Sequence, residues 1–180
     1  MHKDIQEILI SQEQIQNRIQ ELAQDLMRDY ADKDPIFIGV LKGVVLFYAD
    51  MVRAFDAPCQ LDFMWISSYQ GTCSTGSMVV RQDVTADLNG RHVVILEDIL
   101  DSGRSLCFVR DHLIRKGVAS VKICTLMDKP DGRLPDFDIR ADYIGFTVPN
   151  AFVVGYGLDY NEHYRNLPYV GVLKPEVYEK

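Results

Sequence analysis

HVVILEDILDSGRS, residues 92–105, is the stretch from which the rest of the chain can be read. Four consecutive apolar residues, Val93, Val94, Ile95 and Leu96, lead into three clustered carboxylates, Glu97, Asp98 and Asp101. A small-residue turn follows, Ser102, Gly103, Arg104 and Ser105. A short continuous apolar run reads as a strand buried on both faces. A helix opening after the turn offers unpaired backbone N–H groups and the positive end of its dipole, a seat for a phosphate. Taken alone, the strand and the Ser-Gly turn read equally well as ordinary structure. The acids tilt the balance, because like charges this close raise one another's pKa and cost stability unless a cation or hydroxyl donors meet them. The segment therefore predicts a phosphorylated, hydroxyl-rich ligand carrying a divalent cation.

Working outward, Ser11 and Gln14 have the spacing of a capping box, and Ile15, Ile19, Leu22 and Leu26 mark one face of an N-terminal amphipathic helix. Residues 36–41 read as a buried strand, after which Gly43 opens a second helix with Val44, Phe47 and Met51 facing inward. Residues 61–66 are a further strand, 67–77 a polar, Gly-containing stretch expected to be mobile, and 78–84 an antiparallel return. A helix over 102–116, ending at Gly117, turns Leu106, Val109 and Leu113 inward, and strands over 121–127, 142–146 and 153–155 complete the series. The pattern predicts one α/β domain over residues 1–180, a largely parallel open sheet flanked by helices with a mobile active-site loop. The motifs LKG (41–43), EDILDSG (97–103), DKP (128–130) and GLDY (157–160) each follow a predicted strand. A parallel sheet would gather all four along its carboxyl edge, where ligands bind in such folds.

Composition narrows the ligand. The 180 residues are 47% hydrophobic and 25% charged, with no apolar run of membrane-spanning length. Residues 1–10 lack a signal-peptide core, so a cytoplasmic protein is expected. The four cysteines, Cys59, Cys73, Cys107 and Cys124, have neither zinc-site nor disulfide-framework spacing. A formal net charge of −7 opposes nonspecific nucleic-acid binding and favours a metabolite.

EDILDSGRS resembles the sugar-pyrophosphate signature of the type I phosphoribosyltransferases. LKG, SSY (67–69), DKP and FVVGYGLDYNEHYRNLPYVGVL (152–173) resemble the hypoxanthine-guanine branch of that family over nearly the whole chain. The resemblance implies a Mg²⁺-dependent enzyme of purine salvage. Its partners would be a purine base and 5-phosphoribosyl 1-pyrophosphate, its products IMP or GMP and pyrophosphate, and its assembly a homodimer or homotetramer. By the same resemblance Glu97 and Asp98 hold the ribose hydroxyls and the metal, and Ser102, Gly103, Arg104 and Ser105 the 5′-phosphate. Lys42, Gly43 and Arg165 take the pyrophosphate, often with a cis peptide before the lysine. Asp101 would be the general base at purine N7. Lys129 would meet the oxygen at purine position 6, with Phe152 stacking on the base, the Val153 backbone at its edge and Asp159 as a metal-water ligand nearby. Ser68 and Tyr69 belong to the expected lid.

Read singly, Lys42, Lys129, Asp159 and Arg165 are also ordinary surface residues and Phe152 an ordinary core residue. His163 beside Glu162 reads as structural. A nucleotide-sensing RNA-binding regulator is opposed by the charge, and a phosphoacceptor receiver domain by the mid-chain position of the acid pair. A P-loop nucleotidase is opposed by the lack of GxxxxGK[ST]. The choice among hypoxanthine, guanine and xanthine stays open at this level.

Overall fold

Strands apolar on both faces need a cover on each side, and the computed structural model, which describes residues 1–68 and 78–179, provides it. The elements run β1 (Ile5–Ile10), α1 (Gln12–Tyr30), β2 (Ile36–Leu41), α2 (Val45–Ala54), β3 (Gln60–Ser68), β4 (Met78–Gln82), β5 (His92–Leu100), α3 (Arg104–Ile114), β6 (Ser120–Asp128), β7 (Tyr143–Thr147), β8 (Val153–Val154), β9 (Val170–Leu173) and α4 (Pro175–Tyr178). Six strands form one sheet in the order β4-β3-β2-β5-β6-β7, parallel throughout except for β4. Alternation along the central strands divides the core. Phe37, Val94 and Leu96 pack with Ile15, Ile19, Phe47 and Met51 of α1 and α2. Ile36, Ile38, Val93 and Ile95 pack with Leu106, Val109 and Leu113 of α3.

The capping box of α1 is present in both directions: Gln14 N–H donates to Ser11 Oγ at 3.2 Å and Ser11 N–H to Gln14 Oε1 at 2.8 Å. The helix buries Ile15, Ile19, Leu22 and Leu26 as the periodicity predicts.

Two expectations are corrected. Residues 5–10 form a strand, although the sequence reading gave residues 1–10 no element, and residues 153–155 do not join the main sheet. β8 pairs with β9, and β9 with β1, in a separate three-stranded antiparallel sheet with its own cluster of Val154, Tyr164, Leu167 and Leu173. Three of the four predicted loops thus leave the carboxyl edge of the parallel sheet, and GLDY reaches them from the second sheet. Tyr69 and Cys73, with most of the expected lid, lie outside the described residues, while the Ser68 backbone closes β3 opposite Met78. Among the described residues no helix is long and apolar enough to cross a membrane.

Candidate functional site

β5 does not stop where its apolar run stops. It continues to Leu100, so Glu97 and Asp98 are strand residues whose positions are fixed by the ladder to β6. Asp98 is 8% exposed, and its Oδ1 accepts from Ile99 N–H at 2.8 Å. Glu97 Oε2 is sealed from solvent and has no hydrogen-bond partner among the described residues. Burial pushes the Asp98 carboxyl up to about 6. Burial and then the neighbouring Asp98 charge push Glu97 well above the ordinary glutamate range. A buried carboxylate that lacks a partner is unfavourable, so this pair is built for something that arrives with the ligand.

Gly43 explains how that pair stays close to the loop after β2. A Cβ there would lie 1.9 Å from Asp98 Oδ2. Gly43 therefore serves by lacking a side chain, and α2 starts two residues later, at Val45. The Leu41–Lys42 peptide is cis. Gly157, in the GLDY loop, has φ +102° and would place a Cβ 1.9 Å from Gly43 O. Here the second sheet closes against the first, through the backbone of Gly157 against that of Gly43.

Beyond Asp101 the chain turns through Ser102 and Gly103, whose φ of +85° suits glycine, into α3. Gly103 at the N-cap has no side chain to offer, and Ser102 Oγ accepts only from Arg104 N–H, at 3.4 Å, so the next N–H groups of the helix start are uncapped beside Ser102, Arg104 and Ser105, which line a cleft. The cleft is about 640 Å³ and is lined also by Lys42, Gly43, Glu97, Asp98, Asp159, Arg165 and Val153. The sequence reading missed Leu134 and Leu158, which line it too; lone leucines in loops carry no signal.

Two of the cations in the cleft, Lys42 and Arg165, already have acidic partners. Lys42 Nζ is 3.0 Å from Glu162 Oε2, and Arg165 Nη2 is 2.9 Å from Asp159 Oδ1 and 3.4 Å from Glu162 Oε1. Lys42, through its hydrogen bond, holds the Glu162 carboxyl below the ordinary range. Asp159 Oδ2 also accepts from Glu162 N–H at 2.9 Å. Sequence reasoning gave Glu162 no role.

A smaller hollow of about 150 Å³ lies beside the cleft, lined by Ile99, Asp101, Lys129, Ala151, Phe152, Val153 and Leu158. Lys129 Nζ donates to Asp101 Oδ2 at 3.2 Å. Phe152 is 39% exposed, stacks on Tyr178 at 4.8 Å and 20°, and meets Tyr160 edge-on at 5.7 Å. It is an exposed aromatic braced by two others, which its apolar character in the sequence does not reveal. The geometry is a flat apolar wall with a cation and a carboxylate at one side, suited to a planar heterocycle. His163 stays outside both hollows, in a turn with Tyr160.

Among the described residues no three His, Cys, Asp or Glu side chains group as a metal cage. Two hard-oxygen donors, one of them orphaned, nevertheless fit a Mg²⁺ ion that brings most of its ligands with it as water and substrate oxygens.

Residues 9–161 match the phosphoribosyl transferase domain family. The hypoxanthine-guanine phosphoribosyltransferase of Streptococcus pneumoniae is 51% identical over 179 residues, covering 99% of this chain and 98% of that protein. That of Bacillus subtilis is 49% identical over 180 residues, with 99% of each covered. A crystal structure of a hypoxanthine phosphoribosyltransferase from Staphylococcus aureus superposes with a TM-score of 0.94 at 45% identity, covering 100% of this chain and 97% of that one.

Proposed function

The chain belongs to the phosphoribosyltransferase family, in its hypoxanthine-guanine branch, and we propose from that premise how its cleft performs the reaction. It joins hypoxanthine or guanine to 5-phosphoribosyl 1-pyrophosphate, forming IMP or GMP and releasing pyrophosphate. As the pyrophosphate leaves, positive charge develops on the ribose and negative charge on the departing group, and catalysis must stabilise both.

Glu97 and Asp98 hold the ribose hydroxyls and, with them, Mg²⁺. Support comes from the orphaned Glu97 Oε2 and the raised pKa values of the pair, which a cation would lower. When bound, Mg²⁺ supplies charge neutralisation at the pyrophosphate. The start of α3, where the N-cap Gly103 has no side chain, receives the 5′-phosphate with Ser102, Gly103, Arg104 and Ser105. Lys42 and Arg165 exchange Glu162 for the pyrophosphate beside Gly43; the planar fork of Arg165 suits that anion. Asp159 keeps Arg165 oriented and remains within the cleft as a ligand for metal-bound water.

At the purine, Phe152 stacks on the ring and the Val153 backbone meets its edge. Lys129 has three N–H donors, so one bond to Asp101 leaves others for the oxygen at position 6. Asp101 takes the N7 proton as N9 attacks the anomeric carbon. A donor at position 6 disfavours adenine, whose amino group donates there. Ser68 and Tyr69 complete the reading as the lid that excludes water. The 180 residues work as one domain in the cytoplasm, on small molecules and not on nucleic acid or a membrane. They assemble as a homodimer or homotetramer, a reading supported by the exposed Leu61 and Trp65 on β3.

The observation that carries this reading is the convergence of the loops after β2, β5 and β8 on one cleft, with the purine-sized hollow beside it. A purine panel with 5-phosphoribosyl 1-pyrophosphate and Mg²⁺, read as kcat/KM for each base, tests it. Turnover of hypoxanthine or guanine is expected. Turnover of no base would overturn the activity, and preference for adenine would overturn the role given to Lys129.

A further inference from the structure

The turn between β6 and β7 grips Asp101 more completely than a purine-binding lysine requires. Lys129 holds the Asp101 carboxylate. Further along the same turn, Arg133 Nη1 donates to the backbone carbonyl of Asp101 at 2.5 Å, and its Nη2 donates to the Asp128 carboxylate. Leu134 N–H donates to Ser102 O at 3.1 Å. Gly132 packs so close that a Cβ there would lie 1.9 Å from Asp101 Oδ1. The Arg133 and Asp128 side chains are only 18% and 15% exposed, so their pairing is not a screened surface contact.

Aiming a carboxylate at a proton takes two restraints, one on its backbone and one on its side chain. Lys129 and Gly132 restrain the side chain. Arg133 restrains the backbone, and it does so from Asp128, the residue directly before Lys129. One planar guanidinium thus fixes the loop that carries Asp101 against the strand end that carries Lys129, a bridge that a fork of fixed geometry makes well and a point charge does not. We propose that Arg133 is a positioning residue for proton transfer at the purine. By binding the Asp101 carbonyl and the Asp128 carboxylate together, it sets the distance and angle between the Asp101 carboxylate and the Lys129 ammonium.

The inference rests on Asp101 as the general base, and the experiment separates the two. R133Q, D101N and the double variant are compared with the parent by steady-state kinetics with hypoxanthine and 5-phosphoribosyl 1-pyrophosphate, after thermal melts. R133Q is expected to lose about 10- to 100-fold in kcat, the scale of a misplaced catalytic group, with KM for the phosphoribosyl donor within about twofold. R133Q should cost nothing further in the D101N background, because a positioning residue has nothing left to position. R133K, able to reach one partner at a time, should fall between R133Q and the parent. Losses that multiply in the double variant would overturn the inference. So would a donor KM that rises in step with the loss in kcat, which would assign Arg133 to the phosphate loop. D101N at parental kcat would overturn the base assignment itself, before Arg133 is altered. Should R133Q fail to fold, D128N leaves Arg133 in place, weakens its anchor and is read by the same cycle.

Discussion

The two ends of the cleft treat charge in opposite ways. At the sugar end, among the described residues, the buried Asp98 and the half-buried Glu97 next to it have no ion pair, and the sealed Glu97 Oε2 has no hydrogen bond. At the base and pyrophosphate end every charge named above has an internal partner: Lys129 with Asp101, Lys42 with Glu162, and Arg165 with Asp159 and Glu162. The difference teaches how each end meets its ligand. On the proposed reading the sugar end lacks counter-charge and gains a cation and hydroxyl donors on binding, whereas the other end is charge-paired, with Arg165 Nε alone of its named cations' buried atoms lacking a hydrogen bond among the described residues, and trades internal partners for those of the substrate.

The largest expected effect breaks the comparison at its base end. D101N leaves Lys129 a neutral acceptor but removes the proton acceptor, so kcat should fall by about 10² to 10⁴ with the fold intact. Steady-state turnover beside a thermal melt measures it. An unchanged kcat would mean that the Lys129–Asp101 pair is structural alone, and that the base end holds no catalytic charge.

The sugar end is tested by pH in the protein without metal or donor. Below about pH 4 the Asp98 carboxyl is protonated in both folded and unfolded chains and makes no difference to stability. Between its ordinary value of 3.8 and its folded value of about 6 the unfolded chain gives up the proton first. The folded chain then holds the extra proton, and stability falls as pH rises; above 6 the full penalty persists. The shift of about 2 units corresponds to roughly 3 kcal/mol. Glu97, also raised, acts in the same direction. Chemical denaturation at pH 4 to 7.5 should show this slope in the parent and a flatter one in D98N. Saturating Mg²⁺ and donor should remove it. Equal slopes in parent and D98N, with no ligand, would mean that the acid pair is already compensated and that the contrast between the two ends is false.

The sugar end was also the more legible in sequence. Val93 to Leu96, the two acids and the Ser102-Gly103 turn lie within one short segment, so local pattern sufficed to place the strand, the acids and the turn into α3, although not to see that β5 runs on through the acids to Leu100. The base end is assembled from residues far apart in the chain. Asp101 and Lys129 are 28 residues apart, and Lys42 and Glu162 are 120 apart. Family resemblance identified most of these residues, but their pairing with one another has no local signature. Arg133 and Glu162 have none at all, because an arginine or glutamate in a polar loop reads as solvated surface until the fold brings its partner near. The second sheet was missed for the same reason. β8 is two residues long, and β1 becomes a strand by pairing with β9, more than 150 residues away.

Glu162 gives the smallest and most discriminating test of whether the complete end works by exchange. Its carboxylate spans Lys42 and Arg165, the two cations assigned to the pyrophosphate, and it sits at φ +64° on an exposed turn from which it can swing away. An exposed carboxylate bound to two cations competes with an incoming anion, though weakly, since water and salt screen both contacts. E162Q keeps the shape and removes the competing charge. KM for 5-phosphoribosyl 1-pyrophosphate should therefore fall by about two- to fivefold at low ionic strength, the range of exposed ion pairs. The difference should close as salt is raised. Inhibition by added pyrophosphate should strengthen by a similar factor, because the same two cations hold substrate and product. A higher donor KM in E162Q would give the opposite result: Glu162 would then be organising Lys42 and Arg165 for the ligand, and the pyrophosphate end would work by preorganisation, with no partner to displace.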